Sequence, residues 1–162
     1  MLNTKYPPQL KPILIFDGDC GFCRYWLVKW KKLSREHYDY QPYQSVYEQF
    51  GDIPLVNFQK AVHLIFPDGR VLSGAAVAYY PYFQFGSAKF LYKWYCNFGL
   101  FKKLSDSAYQ IVAKHRNAFF KLSKLLFGKD PYKNGLMTFV WRFLVLISIS
   151  LAVFYLTNTL LQ

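Results

Sequence analysis

Cys20 and Cys23, in the run DGDCGFC, are the residues of this chain whose types and spacing could do chemistry. If a helix begins at Cys20, its unpaired N–H groups and positive dipole end stabilise a thiolate there. Cys23, one turn on, is placed to resolve a mixed disulfide. The chemistry is dithiol–disulfide exchange, with Cys20 attacking and the dithiol itself serving in place of any bound cofactor. Asp17 and Asp19 oppose the effect, because like charge nearby raises a thiol's pKa, and Arg24 partly restores the balance. Asp17 is also a candidate proton acceptor for Cys23.

The same residues admit two other chemistries. A zinc site would add His37, His63 or His115 to the two cysteines, but there is no second CxxC and no HxxxH, and His63 falls inside an expected strand. Phosphoryl transfer would use Asp17 and Asp19 after an apolar strand. That motif continues with Thr or Val where this chain has Gly21, and no clear downstream acidic pair offers itself to Mg²⁺. No metal is therefore expected.

The elements that must position the pair follow from pattern. Pro12 precedes ILIF, a short apolar run closed by DGD, which reads as a buried strand ending in a turn. From Cys20 on, Phe22, Trp26, Trp30 and Leu33 recur at helical spacing, with Lys29, Lys31 and Lys32 toward the other face and the last turn. Tyr38 to Tyr43 reads as a second strand and Ser45 to Phe50 as a short helix or turn. AVHLIF and RVLSG flank Pro-Asp-Gly as an antiparallel hairpin. After Gly74 the chain reads as helical to Gly128, with Ser87 and Ser105 or Asp106 as N-caps. A parallel first half joined to an antiparallel hairpin, with CxxC on the first strand-to-helix turn, is the layout of a thioredoxin-like α/β fold.

LIFDGDCGFCRYW resembles the signature of the DCC family of thiol-disulfide oxidoreductases, an apolar strand followed by DGxCxxC. HLIFPDGRVLSGAAV resembles that family's strand, turn, strand and Gly-containing segment, and AYQIVAKHR its Tyr, Ala, Arg helix. The resemblance covers about residues 13 to 120 and implies a thioredoxin-like fold, dithiol chemistry, and a protein or small-thiol disulfide as substrate. One departure stands out. Thioredoxin-like enzymes commonly place a cis-proline just before the third strand, whereas here six residues separate Pro54 from Ala61. Arg116 shares a helix face with Tyr109 and Ala113; as a supporting residue it could neutralise Asp17 or bind an anionic substrate, although a solvated arginine is the plainer description.

Composition bounds the rest. The chain has 162 residues, 53% hydrophobic and 21% aromatic, enough for one domain with a sizeable core, which excludes disorder and rod-like structures. Three cysteines cannot staple a secreted scaffold. Cys96 falls on the face of Lys89 and Lys93 and reads as an incidental thiol. The net charge of +11 is concentrated in residues 89 to 133, with ten basic and two acidic residues. Eleven aromatics between 79 and 101 interleave with lysines as a nucleic-acid track would, but an apolar tail favours a membrane setting, and no nucleic acid is expected. Of the aromatics, Trp94, Phe98 and Phe101 read as core, and the rest as resting on headgroups or a membrane partner.

That tail sets the expected organisation: a thioredoxin-like domain with a helical C-terminal part over 1–127, a basic linker over 128–135, and a single-pass transmembrane helix over 136–161. Phe143 to Leu161 holds no charge and would span about 28 Å at the helical rise of about 1.5 Å per residue. Arg142 would snorkel to phosphates. With no signal peptide ahead and basic residues flanking only the N-terminal side, the positive-inside rule puts the domain in the cytoplasm as a tail-anchored protein, where a dithiol is kept reduced. Its partners would then be the lipid bilayer, a disulfide substrate and a membrane protein. The competing reading is a non-enzymatic accessory subunit of a membrane complex that keeps the fold as a docking surface.

Overall fold

The computed structural model describes residues 2–128 together with Leu144, Val145 and Ser148. Its centre is strand β2 (Ile13–Phe16), buried on both faces. To one side lies β3 (Asp39–Pro42), parallel to β2 with Ile13 opposite Asp39; to the other lies β4 (His63–Ile65), antiparallel with Ile13 opposite Ile65. β5 (Arg70–Ser73) continues the antiparallel hairpin, and β1 (Leu2–Asn3) closes that edge, giving the order β1-β5-β4-β2-β3. The hairpin turns at Gly69, whose φ of 84° and close approach to the Thr4 carbonyl suit only a residue without Cβ.

Side chains of β2 alternate between two cores, as the pleat requires. Leu14 and Phe16 face a cluster with Leu64, Leu72, Leu27, Ala76 and Val77; this layer holds α1 (Gly21–Ser34) and α4 (Ala75–Phe85). Ile13 and Ile15 face Val46, Phe50, Ile53, Phe58, Ile65 and Val71, the layer built by α2 (Tyr43–Val46), a 3₁₀ turn (Tyr47–Phe50) and α3 (Leu55–Lys60). The chain then forms α5 (Lys89–Asn97), α6 (Gly99–Lys114) and α7 (Arg116–Phe127). α7 braces α1: Tyr25 packs edge-on against Phe120 and its hydroxyl donates to the carbonyls of Ser123 (3.2 Å) and Gly128 (2.8 Å).

Several expectations are corrected. The fold is a mixed α/β arrangement of seven α-helices and a five-stranded sheet among the described residues, not a thioredoxin-like domain ending in C-terminal helices and one transmembrane helix. No described helix is long and apolar enough to cross a membrane. The linker after Gly128 and, apart from Leu144, Val145 and Ser148, the expected membrane helix lie outside the described residues. The single-pass placement with a cytoplasmic domain rested on that helix, and no described helix carries it.

The expected aromatic core is also partly reversed, with Phe101 half-buried against Tyr79 but its two companions outside. Trp94 and Phe98, expected in the core, are 48% and 56% exposed, while Tyr92 is buried and Tyr79, Tyr80, Phe83, Phe85 and Tyr95 pack onto the core. Helical spacing defines a stripe but not its partner; here α4 covers the tyrosine side of α5. Helices α5 and α6 start at Ala88 and Phe98 without side-chain caps, and Ser105 and Asp106 lie within α6. In α1 the fully buried residues are Tyr25, Leu27 and Ser34, and the expected stripe of Phe22, Trp26, Trp30 and Leu33 is half-buried, because α4 and α7 cover the helix from two directions.

Candidate active site

The turn after β2 delivers the cysteine pair to the head of α1. Gly18 lets the chain pass Pro42 at the end of β3; a Cβ there would sit 2.7 Å from the Pro42 Cβ. The Gly18 N–H donates to Gln44 Oε1 at 3.2 Å, and the Gln44 amide donates to Asp17 Oδ1 (3.0 Å) and Asp19 Oδ2 (3.2 Å). The Asp19 N–H closes onto Asp17 Oδ1 at 3.1 Å. Gln44 thus pins the loop from the neighbouring strand's end, and no local sequence signal points to it.

Cys20 is the N-cap of α1. Its backbone is extended, with φ −80° and ψ 111°, and its Sγ accepts the Cys23 N–H at 3.2 Å. A thiolate in this position does what an N-cap oxygen does, satisfying one of the helix's orphan donors. Cys20 is accordingly pulled down to about 6, first by hydrogen bonding from Cys23 and also by the Arg116 charge, with burial and Asp17 acting against it. Cys23 moves strongly the other way, first because its thiol is held as the donor to Cys20 and then because it is buried deeper. The two sulfurs are free cysteines in this structure.

Arg116, the first residue of α7, reaches across the site. Its Nη1 donates to Asp17 Oδ2 at 3.0 Å, and both side chains are only about one-fifth exposed. Its Nη2 donates to the carbonyls of Gln59 (3.1 Å) and Lys60 (2.9 Å), the last residues of α3, where a cation complements the helix dipole. It is therefore a paired arginine and not the solvated one that sequence favoured. Tyr109 of α6 places its hydroxyl 3.1 Å from the Val62 N–H, just before β4. That N–H is occupied from within the chain at the place where the expected proline is missing. Arg24 is exposed on α1, apart from this cluster.

Two spaces meet here. An open groove of about 1360 Å³ is lined by Cys20, Asp17, Asp19, Lys60, Lys102 and Arg116 among others. A smaller, mainly apolar cavity of about 320 Å³ lies on the Cys23 side, between α1, α4 and α6. Asp17, Tyr109 and Arg116 line both. His63 is buried in β4 with Nδ1 2.9 Å from the Ala61 carbonyl, and His37 rests against Phe85. Among the described residues no group of three or more His, Cys, Asp or Glu side chains is arranged to hold a metal ion.

A family model described as DCC1-like thiol-disulfide oxidoreductase matches residues 14–122. No curated protein and no solved structure matches the chain. The matched span runs from β2 through the cysteine pair to Arg116 and into α7, and the chain belongs to the DCC1-like thiol-disulfide oxidoreductase family.

Proposed function

We propose that the chain reduces disulfides of a protein or a small thiol, with Cys20 as nucleophile and Cys23 as resolving thiol. The observation that carries this reading is the cap: the Cys20 sulfur lines the open groove and accepts an N–H from the head of α1. In the first step the Cys20 thiolate attacks one sulfur of the substrate disulfide, forming a mixed disulfide and releasing the other sulfur as a thiolate. In the second, Cys23 gives up its proton and attacks Cys20 Sγ, so that the substrate's remaining sulfur leaves as a thiolate. The substrate gains two electrons, and the cysteine pair is oxidised to a disulfide.

The Cys23 proton needs an acceptor, because this thiol is held well above its ordinary range. We assign that role to Asp17, which lines the cavity on the Cys23 side and is held by Arg116 and Gln44. Arg116 is a positioning residue that also favours the Cys20 anion, and Asp19 helps to close the loop.

A redox titration of the full chain in defined thiol–disulfide buffers, with alkylation and mass spectrometry at Cys20, Cys23 and Cys96, tests the couple. A reversible two-electron transition confined to Cys20 and Cys23 is expected, and a pair that closes only in the unfolded chain would remove the mechanism. Cys23→Ser should accumulate a mixed disulfide on Cys20. Trapping on Cys96 instead would assign the chemistry to the wrong sulfur.

A further inference from the structure

The open groove at Cys20 is larger than the exchange steps require. Its volume of about 1360 Å³ exceeds the range of small-molecule pockets, roughly 300–1,000 Å³. Lys102 and Lys114 of α6 both line it, and the helical rise of about 1.5 Å per residue sets them about 18 Å apart. An extended peptide covers that distance in about five or six residues, at about 3.3 Å each.

The charges along the groove are unevenly matched. Arg116 and Asp17 answer each other at 3.0 Å. The other carboxylates already accept hydrogen bonds, Asp19 from the Gln44 amide at 3.2 Å and Asp106 from the Tyr95 hydroxyl at 2.9 Å. Lys60, Lys102 and Lys114 also line the groove, and none of their ammonium groups makes an ion pair among the described residues. The chain behind them is basic throughout: residues 89–127 hold eight basic residues and one acidic residue, Asp106. Backbone pairing is closed off beside Ala61 and Gly74, which line the groove. The Val62 N–H is taken by Tyr109 at 3.1 Å and the Val62 carbonyl accepts the Gly74 N–H at 3.0 Å, so an added strand finds no free donor there. Selection falls to side chains, and the unanswered ones are cations.

We propose that the groove selects an acidic peptide segment that carries the disulfide, its carboxylates facing Lys60, Lys102 and Lys114. This rests on the exchange reading above and deepens it by naming the substrate class. Seated along α6, the peptide presents its disulfide to Cys20, and the cysteine pair closes as that disulfide is reduced to two thiols. The attraction acts mainly on the encounter rate, because exposed cations steer anions at long range and are screened by salt.

The test uses the reduced full chain and heptapeptides whose central cysteine is an S-methyl disulfide, flanked on each side by two glutamates, two glutamines or two lysines. Oxidation of Cys20 and Cys23 is followed by alkylation and mass spectrometry, and each rate is divided by that peptide's rate with 2-mercaptoethanol. At low salt the glutamate peptide should exceed the glutamine peptide about tenfold and the lysine peptide by more, the first gap closing to about twofold in about 0.5 M salt. Lys60→Gln, Lys102→Gln and Lys114→Gln combined should remove the preference. Lys89→Gln, Lys93→Gln and Lys103→Gln combined, an equal loss of charge outside the groove lining, should keep most of it. Between 3,3′-dithiodipropionate and bis(2-hydroxyethyl) disulfide, both too short to span the groove, the gap should stay below about threefold. Equal rates for the glutamate and glutamine peptides, a preference that survives the groove variant or vanishes equally in the control, or a gap of about tenfold between the small disulfides would each overturn the proposal while the pair still closes. Failure of every peptide to oxidise the pair would instead overturn the exchange reading, and this inference with it.

Discussion

The groove at Cys20 and the cavity at Cys23 are separated by a single helical turn, and they differ in almost every physical respect. The groove is open and lined by lysines and carboxylates, and its sulfur takes a helix N–H. The cavity is small and walled by rings, and its sulfur is raised by its hydrogen bond to Cys20 and by burial. The difference arises because a CxxC straddles a helix start. The first cysteine is a cap facing outward, and the second already belongs to the face that packs on the core. On the mechanism proposed above, backbone geometry sets two identical side chains apart as attacker and held reserve, with the Arg116 and Asp17 charges adding to the balance at Cys20.

The sharpest way to break that contrast is to remove one sulfur. Cys20→Ser keeps a capping oxygen and should leave the thermal midpoint within a few degrees, while disulfide reduction falls by roughly a hundredfold or more, the loss expected of an activated nucleophile. Comparable turnover in this variant would end the distinction between the two positions. In the wild type, alkylation of Cys20 should rise with a midpoint near pH 6, while Cys23 stays unreactive through neutral pH. Equal rates at pH 7 would show the asymmetry to be absent.

A separate proton must be distinguished from that of Cys20. Burial in β4 pushes His63 down to about 4, so between its ordinary value of 6.5 and pH 4 the unfolded chain binds a proton that the folded chain does not. Stability should therefore fall as pH drops through this window, by about 3 kcal/mol in all. Urea unfolding of Cys20→Ser at pH 7 and pH 4.5 reads this without the sulfur; a flat response would mean that His63 is solvated.

Arg116→Gln removes the positive charge shared by the two sulfurs and the clamp on the end of α3. The Cys20 alkylation midpoint should rise above about 6, and stability should fall by about 1–2 kcal/mol, the scale of charge-assisted bonds in a partly screened setting. Arg116→Lys should recover the midpoint better than the stability, because an ammonium cannot span Asp17 and both carbonyls; identical recovery of both would deny the positioning role. The smallest effect is expected for Tyr109→Phe, which strips the acceptor from the Val62 N–H at about 1 kcal/mol, with the Cys20 midpoint little changed.

How much of this was legible depends on whether a feature was local. Pro12-ILIF-DGD announces the central strand, Pro-Asp-Gly the hairpin, and Cys20 the helix start, because each is decided by a handful of adjacent residues. The partners of Asp17 were harder. Gln44 carries no motif, and Arg116 lies 99 residues away, on a helix that sequence could place on a face but not against a target. Helix α3 escaped notice because LVNFQK is a single turn and a half with mixed periodicity, stabilised by Phe58 entering the second core. β1 exists only through its pairing with β5 and through Thr4 and Lys5 binding Asp52. The aromatic stripe of α5 failed for a different reason: rings stand on more than one side of the helix, and the packing of α4 decided that Tyr92 and Tyr95 would be covered while Phe90 and Trp94 stay exposed.

The contact between Tyr25 and the end of α7 has a consequence for the order in which the molecule is made. The hydroxyl two residues beyond Cys23 reaches the carbonyl of Gly128, a partner 103 positions later in the chain. During synthesis α1 can form early, but its brace is missing until Gly128 has left the ribosome. The helix that Cys20 caps and that carries Cys23 is therefore the first helix to be translated and among the last to be secured.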